Sequence, residues 1–299
     1  MINFRFHLVS LVSVFLALAI GLATGASIVN QGLVRAQKSQ LSRLETRLRE
    51  RGQQVDDARA SADRWERFAV DSESRAVQGR LRATPVILLS PSGGDTAARS
   101  ALAATIRAAG ANVVGELTIE APFGAESEAL IRTAHAALST ASIRAATVRF
   151  LLRTRLRDAL LDPDRVGPLD ALAKVGFVTF RAAPGGPISL PPRMPTGARI
   201  VVVQNENTEL DPVSFDALLR TLVAFGPARM VVAEAGDAPV SLRAVRSESA
   251  FDGRVSTVDG IDRLEGRVAT VLAIEDLSRQ IVGDYGVDAS AKRLVPAAV

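Results

Sequence analysis

The first strong pattern in the chain is an apolar run without charged side chains from Leu8 to Val29. As a helix this run is roughly 33 Å long, enough to cross a hydrocarbon core of about 30 Å. It predicts a transmembrane helix over residues 8–29 after a short flank, 1–7. The alternative is a cleaved signal peptide with a small-residue site at Ala23-Thr24-Gly25. Retention is favoured because the apolar run continues through Val29 and leads without a linker into another helical pattern.

Small residues recur every four positions within this run, at Ala17, Gly21 and Gly25. Such a face lets two membrane helices approach closely, which predicts helix packing within the lipid bilayer. The alternative is that Gly and Ala are simply common in membrane helices.

Apolar residues then recur every seven positions through residues 30–82. The a positions are apolar throughout: Val34, Leu41, Leu48, Val55, Ala62, Ala69 and Ala76. The d positions are more mixed: Gln37, Leu44, Arg51, Ala58, Trp65 and Ser72. The pattern predicts a parallel coiled-coil homodimer, with an amphipathic helix lying against the globular part as the alternative. The predicted dimer seam comprises Val34, Leu41, Leu44, Leu48, Val55 and Trp65.

From residue 83 to 286 short apolar runs alternate with helical patterns. This order predicts an α/β domain with a mostly parallel, Rossmann-like sheet covered by helices. The expected strands are 86–89, 113–119, 177–180, 200–203, 230–232 and 255–258. The expected helices are 97–109, 127–161, 213–225 and 261–281. Residues 287–299 are predicted to form a flexible C-terminal tail.

Charge is unevenly distributed along the chain. Residues 35–82 carry an excess of Lys and Arg over Asp and Glu that equals the net charge of the whole chain, +4. Arg35, Lys38 and Arg43, just beyond the apolar run, favour a cytoplasmic body, although a large domain can be translocated regardless of its flanking charge. Trp65 offers little base stacking, so nucleic acid is a poor candidate partner.

Two polar loops follow predicted strands, where α/β proteins place their ligands. Ser90–Thr96 contains two glycines before a helix and could bind an anion, but Asp95 is also a good helix cap. Gln204–Asp211, which includes Glu206, could hold a hard cation or a sugar; its alternative is a solvated loop ending in a cap. Capped turns are the favoured interpretation of both loops.

Residues for covalent catalysis or copper binding are sparse. The chain has no Cys, two His (His7 and His135) and three Met, of which Met194 and Met230 lie in the predicted body. Copper(I) prefers thiolate and thioether ligands and copper(II) prefers imidazole, and no clustered spacing of these residues occurs. We therefore expect no enzyme and no cofactor, and the sequence identifies no metal ligands.

The N-terminal motif from Arg5 to Gly21 resembles the opening of the MctB family of actinobacterial envelope proteins. A late helix at Val268–Leu277 and the segment Gly283-Asp284-Tyr285-Gly286 are similar to the family's end. The resemblance covers essentially the whole chain. It implies a membrane helix, a coiled coil and an α/β body, located in the cell envelope or, by the family's name, its outer membrane. It also implies a role in copper export or homeostasis.

The expected function is therefore that of a membrane-anchored, non-catalytic dimeric scaffold in copper homeostasis, with an extracytoplasmic body. Copper is a possible partner only because the family resemblance implies it. The alternative is a coiled-coil regulator of a cell-wall hydrolase, acting with an envelope protein partner. An enzyme that uses Asp95 or Glu206 at a sheet-end loop ranks below both.

Overall fold

The computed structural model describes residues 4–124, 134, 145–161, 167–183, 194–204, 208–210, 212–224, 229–236 and 239–297. It divides into two compact units, Met1–Phe68 and Ala69–Val299. The described residues of the first unit, 4–68, all belong to helix α1 (Phe4–Val77). The segment Phe4–Gly25 has a mean hydropathy of 2.3, so it is long and apolar enough to cross a membrane. None of its strongly apolar window is buried inside the protein. The predicted N-terminal apolar helix is confirmed.

The predicted dimer seam lies on α1, and its apolar side chains face solvent in the single chain. Leu41, Leu44, Leu48, Val55 and Trp65 are all exposed, while the side chain of Val34 lies outside the described part. A single chain does not test pairing, so the coiled-coil dimer stays a prediction.

The second unit is built on a seven-stranded sheet in the order β3-β2-β1-β4-β5-β6-β7. The strands are β1 (Pro85–Pro91), β2 (Asn112–Ile119), β3 (Val178–Ala182), β4 (Arg199–Gln204), β5 (Met230–Glu234), β6 (Val255–Asp259) and β7 (Asp284–Tyr285). Every neighbouring pair is parallel except β2 and β3, which are antiparallel. The predicted mostly parallel α/β sheet is confirmed.

Helices cover both faces of this sheet. They are α2 (Thr96–Ala108), α3 (Ala145–Leu161), α4 (Gly167–Lys174), α5 (Pro212–Val223), α6 (Val240–Ser247) and α7 (Leu264–Asp276). Alternate strand residues enter different cores: Ile87 and Val202 join one cluster, whereas Val86 and Val201 join the other. The uniformly apolar strands follow from this burial on both faces.

The last two turns of α1 belong to the second unit. Val77 is fully buried and Leu81 is 1% exposed in the same core as α2 and α7. Glu73 accepts hydrogen bonds from Thr105 and Arg267. The body therefore begins near Ala69, before the boundary at residue 82 that the heptad pattern suggests.

The second unit differs from the sequence expectation in several elements. The helix predicted over 261–281 is shorter: α7 ends at Asp276 and a 3₁₀ turn, Leu277–Arg279, follows. Of the helix predicted over 127–161, the structure describes Ala145–Leu161 as helical; residues 125–133 and 135–144 lie outside the described residues. Helices α4 and α6 and strand β7 are absent from the sequence prediction.

Residues 287–297 fold back onto the body, contrary to a flexible tail. Asp288 is 8% exposed, and the backbone N–H of Gly286 donates to the carbonyl of Arg293. The physical reason is a set of ion pairs that these residues complete, described below.

Candidate functional site

A cavity of about 430 Å³ opens at the carboxyl edge of the parallel strands. Its lining includes the ends of β1 and β4, the pair of strands at which the strand order reverses, together with the end of β5. Open α/β sheets bind their ligands at such a reversal. Its described lining is mostly apolar and comprises Pro91, Gln204, Thr208, Pro212, Phe215, Asp216, Leu219, Glu234, Val240, Ser241, Ala244 and Val245. We refer to it as the switch-point cavity.

Strand ends and helix starts build the switch-point cavity. Pro91, Gln204 and Glu234 are the last residues of β1, β4 and β5. The first two turns of α5 and of α6, which begin at Pro212 and Val240, supply most of the remaining lining. Parallel strands bring these distant segments to one edge, so the cavity follows from the topology and not from any local motif.

Glu234 is fully buried and holds the N-terminus of α6. Its carboxylate accepts hydrogen bonds from the backbone N–H of Leu242 at 2.7 Å and of Ser241 at 3.5 Å. A negative charge is stabilised at the positive end of a helix dipole. The residue therefore fixes the cavity wall that α6 provides.

Two buried polar atoms at this edge have no hydrogen-bond partner within the described structure: Gln204 Oε1 and Ser92 Oγ. The residues are 5% and 6% exposed, respectively. Gln204 ends β4 and Ser92 follows β1, and these two strands pair. Leaving a buried acceptor unsatisfied costs about 1–3 kcal/mol, and such exceptions in a native fold call for an explanation.

The loop after β1 forms the favoured turn with an Asp cap. Asp95 Oδ1 accepts the N–H groups of Ala97 at 2.7 Å and Ala98 at 3.2 Å, so the predicted cap is confirmed. Arg99, behind the loop, pairs with Glu116 at 2.7 Å and donates to the carbonyl of Gly93. Two of the helix N-terminal N–H groups that an anion would use are therefore engaged by Asp95.

The two predicted loops meet. Gly93 forms an isolated bridge with Thr208, and Glu209 N–H donates to the carbonyl of Ser92. Residues 205–207 and 211, which include Glu206 and the proposed cap Asp211, lie outside the described residues. The described structure therefore joins the loops without testing a cation or sugar site there.

A second polar cluster, which sequence reasoning missed, lies at the ends of β6 and β7. The Arg246 side chain is 3% exposed and stands 3.0 Å from the fully buried Asp259. It also donates to Thr257 Oγ1 at 2.8 Å and to the carbonyl of Tyr285 at 2.7 Å. Asp259 in turn accepts the N–H of Val287 at 2.7 Å. This cluster fastens the chain end to the sheet.

Asp288 completes the cluster through Arg243. The Arg243 guanidinium donates to both carboxylate oxygens of Asp288. These hydrogen bonds, with those from Ser290, hold the pKa of Asp288 well below its ordinary value, and they raise the pKa of Arg243. Asp288 is thus kept as a carboxylate that anchors the chain end.

The described part of the chain offers few side chains that copper prefers. No group of three or more His, Cys, Asp or Glu side chains there could hold a metal ion. Met194 and Met230 are buried in the hydrophobic core, His7 lies on α1, and His135 falls outside the described residues. The described lining of the switch-point cavity contains no His, Cys or Met.

Known proteins match nearly the whole chain. The family described as "Copper transport outer membrane protein, MctB" matches residues 1–296. The chain belongs to the MctB family. It is 25% identical to proteins named "Copper transporter MctB" from Mycobacterium tuberculosis and Mycobacterium bovis, over 97% of this chain and 98% of theirs. The predicted resemblance is confirmed, and membership marks a copper-related envelope protein.

Proposed function

We propose that this MctB-family protein contributes to copper export or homeostasis as a membrane-anchored, non-catalytic, dimeric scaffold. The observation that carries the copper role is the family match over nearly the whole chain. The anchor is supported by the exposed apolar helix Phe4–Gly25. Copper is here the cargo of a system that the protein supports.

The use of its carboxylates supports a structural role for the body. Asp95, Glu234 and Asp259 all lie at or just beyond strand ends, where α/β enzymes place catalytic groups. Each instead accepts backbone N–H groups, from α2, from α6 and from the chain end. Their lone pairs stabilise helix starts and a loop, which favours a scaffold over an enzyme.

The apolar row on α1 supports dimerisation. The a-position residues Leu41, Leu48 and Val55 are 58%, 70% and 47% exposed, whereas a stable soluble helix buries its apolar stripe. A parallel partner helix would cover this row and place two membrane helices side by side.

Sedimentation of a fragment containing residues 30–299 tests the dimer. We expect a dimer for the unaltered fragment and a monomer for Leu41→Asp/Leu48→Asp, because two charges per helix would enter the seam. The matched control Thr46→Asp/Gln53→Asp adds the same charges on the outer face and should stay dimeric. An unaltered fragment that is already monomeric contradicts the dimer.

Copper accumulation tests the cellular role. A deletion strain should accumulate more copper and tolerate less of it than the parent. The unaltered gene and the Thr46→Asp/Gln53→Asp control should restore both, while Leu41→Asp/Leu48→Asp should not. Unchanged accumulation and tolerance after deletion would remove the copper role.

A further inference from the structure

We propose that the switch-point cavity binds a small, uncharged, mainly apolar molecule that carries a hydroxyl group. The inference does not rest on copper and concerns only the body. Three observations support this ligand. The cavity includes the strand ends at the strand-order reversal, its wall is mostly apolar, and one buried hydrogen-bond acceptor in the wall has no donor within the described structure.

Size and position fit a ligand. The cavity volume of about 430 Å³ falls within the range of about 300–1,000 Å³ that is usual for small-molecule sites. The wall is framed by strand ends and by the first turns of α5 and α6, with Glu234 fixing α6. A cavity with such fixed walls is preorganised, which lowers the entropic cost of binding.

The wall chemistry selects an uncharged apolar body. Phe215, Leu219, Val240 and Val245 supply apolar surface, which favours burial of hydrocarbon. No Lys or Arg occurs among the described lining residues, whereas Glu234 and Asp216 do, so an anion is repelled. Both carboxylates already have partners. Glu234 accepts a backbone N–H of α6, and Asp216 pairs with Arg220 Nε at 2.8 Å. A cationic ligand would therefore gain little attraction from them.

The polar point of contact is Gln204. Its side-chain oxygen is buried and accepts no hydrogen bond within the described structure. A ligand O–H would donate to this oxygen, and the hydroxyl oxygen would remain free to accept from a neighbouring donor. One hydroxyl on a hydrocarbon body therefore matches both features of the wall.

Photolabelling of the full-length chain in lipid nanodiscs tests the proposal. The probe is a diazirine-bearing aliphatic alcohol, compared with the alkane and the carboxylate that have the same carbon chain. We expect saturable labelling by the alcohol within residues 212–219 or 240–245, competed by excess unlabelled alcohol. Labelling by the carboxylate should be about tenfold weaker, because its charge would be buried without a partner.

Two variants and one control variant separate binding in the cavity from non-specific uptake. Ala244→Trp should block the cavity and abolish the saturable labelling, while Ala104→Trp, on the exposed face of α2, should leave it unchanged. Gln204→Leu should retain the fold and lower labelling by the alcohol to that by the alkane. Labelling that does not saturate, that persists in Ala244→Trp, or that is as strong with the carboxylate overturns the proposal. These outcomes leave the copper assay unaffected, so the two proposals fail separately.

Discussion

Buried acidic side chains at strand ends act as backbone anchors in this body. Glu234 ends β5 and holds α6, and Asp259 ends β6 and holds residues 287 and 288. Gly286 follows from the same arrangement: its φ is +130°, and a Cβ there would lie 2.2 Å from the Asp259 carboxylate. The Tyr-Gly pair that marks the family resemblance thus has a structural cause, which the sequence alone does not show.

At residue scale, the lowered pKa of Asp288 leads us to predict that the folded protein loses stability in acid. Its pKa is lowered in the folded state, chiefly by the hydrogen bond from Arg243, and is about 3.9 when unfolded. Its contribution is therefore present above about pH 4 and is lost as the pH falls below that value. Asp276 acts in the opposite sense, because burial raises its pKa.

Urea unfolding of residues 30–299 between pH 6 and pH 3 checks this dependence. Asp288→Asn should be less stable than the unaltered fragment at pH 6, and the difference should shrink below about pH 4. Asp252→Asn, at an exposed turn, should keep the unaltered slope. A constant difference across the range would show that the Asp288 charge is not responsible.

Arg246 carries a second prediction at residue scale. Removing one partner of a buried ion pair leaves an uncompensated charge, here Asp259, and costs about 3–5 kcal/mol. Arg246→Met should lower the free energy of unfolding by about that amount. Arg279→Met removes an arginine whose side chain is 45% exposed and should cost less than about 1 kcal/mol. Equal losses in urea unfolding would mean that the cluster is not a stabilising centre.

At the scale of elements, α1 contains a correctable weakness at Gly52. Nothing lies within 4 Å of a Cβ built there, and Gly costs about 1 kcal/mol relative to Ala inside a helix. Gly52→Ala should therefore raise the melting temperature of a peptide that spans residues 30–68 of the predicted coiled coil. Circular dichroism would measure this melting temperature. The control Gly52→Pro should lower it sharply. An unchanged melting curve for the alanine variant would show that the helix frays elsewhere first.

Element prediction from the sequence succeeded where burial on both faces left an apolar run. Val86–Leu89 and Ile200–Val203 fall within β1 and β4 for this reason. The sequence did not reveal helix α6 because only Leu242 and Val245 of its eight residues are buried. Strand β7 has two residues, which are too few to show a periodicity.

The candidate site was only partly predictable. The rule that ligands bind after parallel strands identified the loops after β1 and β4, and Pro91, Gln204 and Thr208 of those loops do line the switch-point cavity. The contributions of Glu234 and α6 depend on sheet order, which joins residues far apart in the chain. The Arg246 cluster was missed for the same reason, since its partners at 259, 285 and 288 come together only by folding.

At the scale of the whole molecule, two sequence features bear on the side of the membrane on which the body lies. The basic excess of residues 35–82 equals the net charge of +4, and positive flanks favour the cytoplasm. A body of about 230 residues, Ala69–Val299, is well beyond the length for which flanking charge governs translocation. Flanking charge therefore does not fix the side of the body. We predict a body outside the cytoplasm because the matched family is described as an outer membrane protein.

Protease added to intact spheroplasts checks this orientation. We expect the body to be degraded while a cytoplasmic marker protein survives, leaving a membrane-protected N-terminal fragment that includes the Phe4–Gly25 segment. Converting Arg35, Lys38 and Arg43 together to Gln should leave this result unchanged, because the large domain and not the basic flank sets its side. A body that is protected in intact spheroplasts, and digested only after lysis, would mean that the flanking charge prevails and that the body works on the cytoplasmic side.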